Sequence, residues 1–354
     1  MNGPEPTTDG PGPTDPLLVV EGLTVEFPSD HGWVTVVDKV SFDVGHGETI
    51  GLVGESGSGK TVSSLAVLGL TARTGGRVRA GSIRFLGEEL VGCSERQMRP
   101  RRGAEIAMIF QQASRSLNPA YTVGDQISET IRQHSGAGRR AARARAVELM
   151  DRVRIPNAAQ RSGDYPHQFS GGMLQRVMIA MAISCGPRLL VADEPTTALD
   201  VSVQASILEL LQELQRDSGL AIVFVSHDLA VIAEMCDRVV VMYAGQVVEQ
   251  APAEQLFVSP RHPYTAGLLG SIPRLNARHR LEPIPGRVPQ PDTMVPGCRF
   301  HPRCPHAQAG RCDHDAPAMV PTSERSSAQC LRSTEIQLKG IELIEAPTVR
   351  TETS

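Results

Sequence analysis

The eight residues Gly54-Glu55-Ser56-Gly57-Ser58-Gly59-Lys60-Thr61 constrain the fold more than any other stretch of the chain. They match G-x-x-x-x-G-K-[ST], a pattern that works only between a strand and a helix. Thr49-Ile50-Gly51-Leu52-Val53 supplies the strand, directly before the first glycine. The glycines let the backbone curl until successive N–H groups point inward at phosphate oxygens. The helix starting near Lys60 adds the positive end of its dipole. The spacing gives the β- and γ-phosphates to Lys60 and a Mg²⁺ ion to the Thr61 hydroxyl. Only Lys39, Lys60 and Lys339 are lysines among 35 basic side chains, so the placement of Lys60 is informative. The stretch predicts nucleotide binding rather than a plain Gly-rich turn.

Further apolar runs follow at 189–192, 220–225 and 239–242. Continuous runs without alternation suit strands covered on both faces, hence a mostly parallel α/β sheet. Segments 18–27 and 34–44 alternate more and predict an antiparallel sheet beside it. Residues 201–216 carry Ile207, Leu211 and Leu214 at helical spacing, and Ser218-Gly219 ends that helix. In Leu189-Leu190-Val191-Ala192-Asp193-Glu194, two carboxylates emerge where ligands bind in an open α/β sheet. Asp193 is placed to hold Mg²⁺ through water. Glu194, one residue on, is placed to polarise an attacking water.

The 354 residues carry a formal net charge of −4, which argues against a nucleic-acid binder that works by bulk charge. Seven arginines between 127 and 154 suit the solvated face of a helical region. No run reaches the ~18 apolar residues of a membrane helix, and the first 16 residues read as a disordered tail rather than a secretion leader. The expected location is the cytosol or the cytosolic side of a membrane.

Phe169-Ser170-Gly171-Gly172-Met173-Leu174-Gln175-Arg176 adds a second helix start of anion-binding type, with Ser170 as the N-cap. Here the chain resembles the ATP-binding-cassette ATPases, from about residue 17 to 250, although Phe169 stands where many members have leucine. The other motifs fall in order: Gln111 matches the glutamine loop, Ala198-Leu199-Asp200 the loop after the second carboxylate, and His227 the switch histidine. The resemblance implies Glu194, His227 and Gln111 as catalytic residues. It implies Gly54 to Thr61, Gln111, Asp193, Ser170, Gly171, Gly172 and Asp200 around ATP, with Thr61, Gln111 and Asp193 on Mg²⁺. It also implies that the signature helix of one subunit caps the ATP on another subunit's phosphate loop. An aromatic upstream of that loop stacks on adenine in the family. Phe27 and Trp33 are both candidates, and we take Trp33, the only tryptophan.

A closer resemblance is to the ATPase subunits of bacterial oligopeptide and dipeptide importers. It rests on the acidic Glu55, on Gln111-Gln112 with Ser116-Leu117-Asn118-Pro119, and on Tyr165-Pro166-His167-Gln168-Phe169. It continues through Pro260-Arg261-His262-Pro263-Tyr264-Thr265 and Gly297-Cys298-Arg299-Phe300-His301-Pro302-Arg303-Cys304-Pro305. Prolines crowd after about residue 257, so regular structure is not expected there. Cys298, Cys304, Cys312 and Cys330 are spaced C-x5-C-x7-C-x17-C, looser than the usual zinc pairs. Spacing alone leaves a metal site and unlinked cysteines both open. The resemblance puts a [4Fe–4S] cluster first and zinc second. Cys93, Cys185 and Cys236 read as small core hydrophobes.

The expected organisation is a tail (1–16), an ATPase domain (17–257) with a helical subdomain at about 112–186, a four-cysteine extension (258–332) and a second tail (333–354). The extension lies far in sequence from the phosphate loop, so a structural role is expected of it. Implied partners are a second, related ATPase chain, two transmembrane permease subunits and, indirectly, an extracytoplasmic solute-binding protein, with no nucleic acid. The implied place is the cytoplasmic face of the cell membrane. An importer of nickel or short glycosides, and a cassette ATPase outside transport, are alternatives.

Overall fold

The computed structural model describes residues 15–341 apart from His31, Ala198, residues 273–282 and Asp315. Most of both expected tails and Ala198 of the Ala198-Leu199-Asp200 loop lie outside the described residues. Strands β1 (Leu18–Ser29) and β2 (Gly32–Val44) form an antiparallel hairpin, paired from Leu18↔Val44 to Ser29↔Gly32. Next come β3 (Thr49–Val53) and helix α1 (Lys60–Val67). Strands β4 (Arg77–Phe85) and β5 (Glu88–Glu89) complete a four-stranded antiparallel sheet ordered β2-β1-β4-β5. The alternation in 18–27 and 34–44 thus reports a sheet with one covered face.

Helix α2 (Glu95–Arg101) and strand β6 (Ile106–Ile109) lead into the helical region. That region holds α3 (Ala113–Ser116), α4 (Val123–Ser135), α5 (Arg139–Arg152), α6 (Ala158–Arg161) and α7 (Gly171–Ile183). The arginine-rich stretch is two helices, because Gly136 adopts a left-handed cap after α4. Helix α5 buries Ala142, Ala146, Leu149 and Met150. Its arginines pair outward, Arg143 with Asp125, Arg145 with Glu148 and Arg152 with Asp217. These exposed pairs each contribute well under about 1 kcal/mol, so the arginines form a solvated face.

The chain continues through β7 (Leu189–Asp193), α8 (Val201–Ser218), β8 (Ala221–Val225), α9 (Leu229–Met235), β9 (Arg238–Tyr243) and β10 (Gln246–Pro252). Helices α10 (Ala253–Val258) and α11 (Pro263–Gly270) and strands β11 (Val320–Ser323) and β12 (Ser326–Ala328) follow. The main sheet runs β11-β12-β10-β9-β3-β8-β7-β6. Strands β9, β3, β8, β7 and β6 are parallel, and every residue of β3, β7 and β8 is buried. Burying a Leu or Val side chain stabilises by roughly 1.5–3 kcal/mol. Truncating fully buried Leu190 to alanine would cost about 2–5 kcal/mol, transfer and cavity together. Helix α8 sets Ile207, Leu211 and Leu214 into this core and ends at left-handed Gly219.

The region after residue 257 departs from the irregular, separate module expected. Pro263 occupies the first turn of α11, where its missing N–H is harmless. Pro321 lies in β11, the edge strand of the main sheet, where proline is tolerated. Strand β12 pairs with β10 through Glu249↔Ala328, so the extension continues the cassette's own sheet. Phe300 is buried against Tyr243 and Tyr264, with ring centroids 5.2 and 5.3 Å away. Among the other cysteines only Cys236 is buried, whereas Cys93 and Cys185 are half-buried.

Candidate nucleotide site

Strand β3 delivers the phosphate loop, and the loop's backbone excludes other residue types. At Gly54 (φ +150°), a Cβ would lie 2.1 Å from the Met242 carbonyl oxygen. Gly57 and Gly59 also take positive φ, 81° and 99°, which side chains disfavour. Lys60 is buried and folds back on the loop. Its Nζ donates to the Gly54 carbonyl at 2.7 Å, the Glu55 carbonyl at 3.0 Å and Ser58 Oγ at 3.4 Å. Burial pushes the Lys60 pKa down, opposed by the charges of Glu194, Asp193 and Glu55. A buried cation held only by neutral oxygens is poised for an anion.

The end of β7 supplies the carboxylates. Thr61 Oγ1 donates to Asp193 Oδ1 at 3.3 Å, joining two of the three residues expected on Mg²⁺. Burial holds the Asp193 carboxyl above its usual range, with the Glu194 charge adding to it and Thr61 and Lys60 opposing. A divalent cation would remove that penalty. Glu194 leaves the strand at φ 49°, a left-handed conformation unusual for a side-chain-bearing residue, and its N–H donates to the Val225 carbonyl at 2.9 Å.

Three side chains converge on the Glu194 carboxylate. Gln111 Nε2 donates to Oε2 at 2.7 Å, and Thr197 Oγ1 donates to Oε2 at 2.9 Å. His227 Nδ1 lies 3.2 Å from Oε1. Burial would raise this carboxyl, but the bonds from Thr197, His227 and Gln111 together hold it below its usual range. Gln111 and His227 thus meet on the Glu194 carboxylate, one residue after Asp193. Thr197 was missed; a hydroxyl three residues after a carboxylate was the available signal.

The second helix start is built differently. Ser170 Oγ accepts from the Met173 N–H at 3.4 Å, capping α7. Gly172 is required by packing, since a Cβ there would come within 2.4 Å of Val203 Cγ1 on α8. Asp200 caps α8, accepting from the Val203 N–H at 3.0 Å. Among the described residues no hydrogen bond joins residues 170–172 to residues 54–61. Trp33 is half-exposed at the β1–β2 turn, with the Arg77 guanidinium 3.9 Å over its ring. Phe27 packs inward instead, its ring filling the space over Gly76.

The four cysteines of the extension line one cavity together with His262, Phe300 and His301. Burial pushes the Cys298 and Cys304 thiols up to about 11, with neighbouring thiols adding to it. A zinc ion needs its thiolates about 2.3 Å from one point. Among the described residues no three His, Cys, Asp or Glu side chains are placed to hold a single metal ion. The arrangement therefore does not fit a single zinc ion.

The extension also touches the phosphate loop, contrary to what its distance in sequence suggested. Arg303 donates from both guanidinium NH₂ groups to the Glu55 carboxylate, at 2.6 and 3.0 Å. The Glu55 N–H donates to the Tyr264 hydroxyl at 2.8 Å. Spacing in the sequence carries no signal for either contact.

Comparison with known proteins agrees with this architecture. The ABC transporter family model matches residues 37–197, and the model described as the oligopeptide/dipeptide transporter C-terminal region matches residues 248–312. A peptide import ATP-binding protein of Brucella abortus is 51% identical over 315 residues, covering 89% of this chain and 94% of that one. Another from the same species is 48% identical over 333 residues, covering 91% and 98%. The dimeric, post-hydrolysis structure of the ATP-binding cassette MJ0796 with ADP and Pi shares the fold at 24% identity. Its TM-score is 0.60 over 67% of this chain and 98% of that one. CbiO1 from Clostridium perfringens, part of an ABC transporter complex, matches at 25% identity and TM-score 0.59, over 69% and 91%.

Proposed function

This chain belongs to the ABC transporter ATPases, and we propose that it powers an importer of peptides across a bacterial cytoplasmic membrane. The observation that carries this reading is the joining, in one chain, of a cassette to the oligopeptide/dipeptide transporter C-terminal region. Relatives named for peptide import match both parts at about half identity. Among the described residues no helix is long and apolar enough to cross a membrane. The chain would then act from the cytoplasmic face, beneath two permease subunits, with an extracytoplasmic protein supplying the solute.

In this reading the loop N–H groups and Lys60 bind the β- and γ-phosphates of ATP, and Trp33 stacks on adenine. Thr61, Asp193 and Gln111 would hold Mg²⁺, which neutralises phosphate charge when bound. Glu194 takes a proton from the attacking water. Gln111, Thr197 and His227 hold its carboxylate ionised and aimed. Ser170 and the glycines after it offer their helix start to the nucleotide of a second ATPase chain, a related one in this branch. Asp200 lies beside that contact.

The cysteine cavity is read as the seat of a [4Fe–4S] cluster. A four-iron cluster spreads its thiolates around a volume rather than a point, and four thiols lining one cavity suit it better than they suit zinc. The cluster would cross-link the extension. Protein purified without oxygen should be brown, and Cys304→Ser should lose the colour; colourless protein with intact thiols would remove this assignment.

The function is tested by peptide uptake into vesicles containing the whole complex and its solute-binding protein. ATP-driven uptake of a labelled dipeptide or oligopeptide is the expected result. ATP-driven uptake of nickel or a glycoside, with none of peptide, would replace the substrate class.

A further inference from the structure

The ion pair between Arg303 and Glu55 joins the extension to the one carboxylate in the phosphate loop. Glu55 sits between Gly54 and Ser56, inside the loop that receives a triphosphate. Its charge is close enough to be felt by Lys60. An uncompensated carboxylate there would repel phosphate oxygens and compete with them for Lys60. Yet the carboxylate does not face the lysine unopposed. Arg303 grips both of its oxygens, and the guanidinium is nearly enclosed, 6% exposed against 30% for Glu55.

Arg303 is itself held from behind. Its Nε donates to the Pro285 carbonyl at 2.7 Å, and its guanidinium lies 5.7 Å over the Tyr243 ring. It belongs to the short turn His301–Arg303, between Cys298 and Cys304. Tyr264, from α11, occupies the Glu55 N–H, so both the backbone and the side chain of this residue are fixed by the region after 257. A pair serving only to dock the extension could sit anywhere on the cassette. This one sits on the carboxylate of the loop whose lysine is expected to meet the phosphates.

We propose that Arg303 is a positioning residue of the nucleotide site, neutralising Glu55 and drawing its carboxylate away from the phosphates, with Tyr264 fixing the same residue's backbone. The extension is then part of the ATP site rather than an appendage. The test is a titration of the full-length chain with a fluorescent ATP analogue and Mg²⁺, alongside thermal unfolding. Arg303→Ala should weaken binding about tenfold, the scale of one charge-assisted contact. Adding Glu55→Gln to Arg303→Ala should bring affinity back to within about threefold of wild type, because the repelling charge is gone. A purely structural contact would lower the unfolding temperature without this recovery. Folded Arg303→Ala with wild-type affinity, or a double variant as weak as the single one, would overturn the proposal. Should Arg303→Ala not fold, Arg303→Gln, which keeps the length and removes the charge, and Tyr264→Phe decide. Weakened binding in both supports the proposal, and wild-type affinity in both overturns it.

Discussion

The chain has two helix starts built for anions, and they are finished to different degrees. At α1 the loop is closed on itself: Lys60 is bonded to three loop oxygens, and Glu55 is clamped by Arg303 and Tyr264. Beside it, three side chains hold Glu194. At α7 the only partner of the Ser170 hydroxyl among the described residues is the helix's own Met173 N–H. Self-capping keeps α7 stable without a ligand. In the proposed reading the first start is a half-site for the chain's own nucleotide, and the second is offered to a partner's. On the reading proposed above, a single chain with one of each needs a second chain to make the site whole.

The largest effect expected from this contrast lies at Glu194. Glu194→Gln should lower ATP turnover by roughly 10²–10⁴-fold, as loss of a general base does, while ATP binding persists. Steady-state hydrolysis and equilibrium binding separate the two, and turnover within threefold of wild type would remove Glu194 as the base. Next is Lys60→Ala, which removes a buried cation from the finished half-site. ATP affinity should fall on the order of 30- to 100-fold, the scale of a charged hydrogen bond of about 2–3 kcal/mol. A fall smaller than that of Arg303→Ala would place the main phosphate contact elsewhere.

A smaller effect sharpens the contrast between cassette and extension. Glu249 on β10 accepts the N–H groups of Arg261 and His262 at 2.7 and 2.8 Å, where the extension joins. Burial nonetheless raises its carboxyl to about 7, with the nearby Thr265 hydroxyl and the N–H bonds of Arg261 and His262 opposing. Between the ordinary carboxylate range and pH 7 the folded chain therefore holds a proton that the unfolded chain has lost. Stability from this group falls as pH rises through that window, by at most about 1.4 kcal/mol per pH unit. Unfolding of Glu249→Gln followed against pH should lack this slope. An unchanged slope would assign it to another group.

The finished half-site was the more legible from sequence. Its parts are local: Gly54 to Thr61 need one strand and one helix, and Asp193-Glu194 end an unbroken buried run. The cap at Ser170 and the stop at Gly219 are likewise written in adjacent residues. What escaped depends on the chain returning from afar. Arg303 and Glu55 are 248 positions apart, and no spacing rule links an arginine in a proline-rich turn to a loop glutamate. The same holds for β12, three residues long, whose place in the sheet is decided by β10 rather than by its own sequence. Proline crowding led to no regular structure being expected after residue 257, yet α11, β11 and β12 lie there. It misled about packing, because Pro263 and Pro321 sit where a helix start and an edge strand accept them.

The unfinished half-site supplies the most direct test of the composite-site account. ATP hydrolysis by the assembled complex, with its second ATPase chain and permease subunits, should be measured for wild type and Ser170→Arg, alongside ATP binding to the isolated subunit. The account predicts that Ser170→Arg binds ATP in isolation as wild type does and loses at least about tenfold in turnover once assembled, because the arginine obstructs closure on the partner's nucleotide. Wild-type turnover by the assembled Ser170→Arg complex would contradict it.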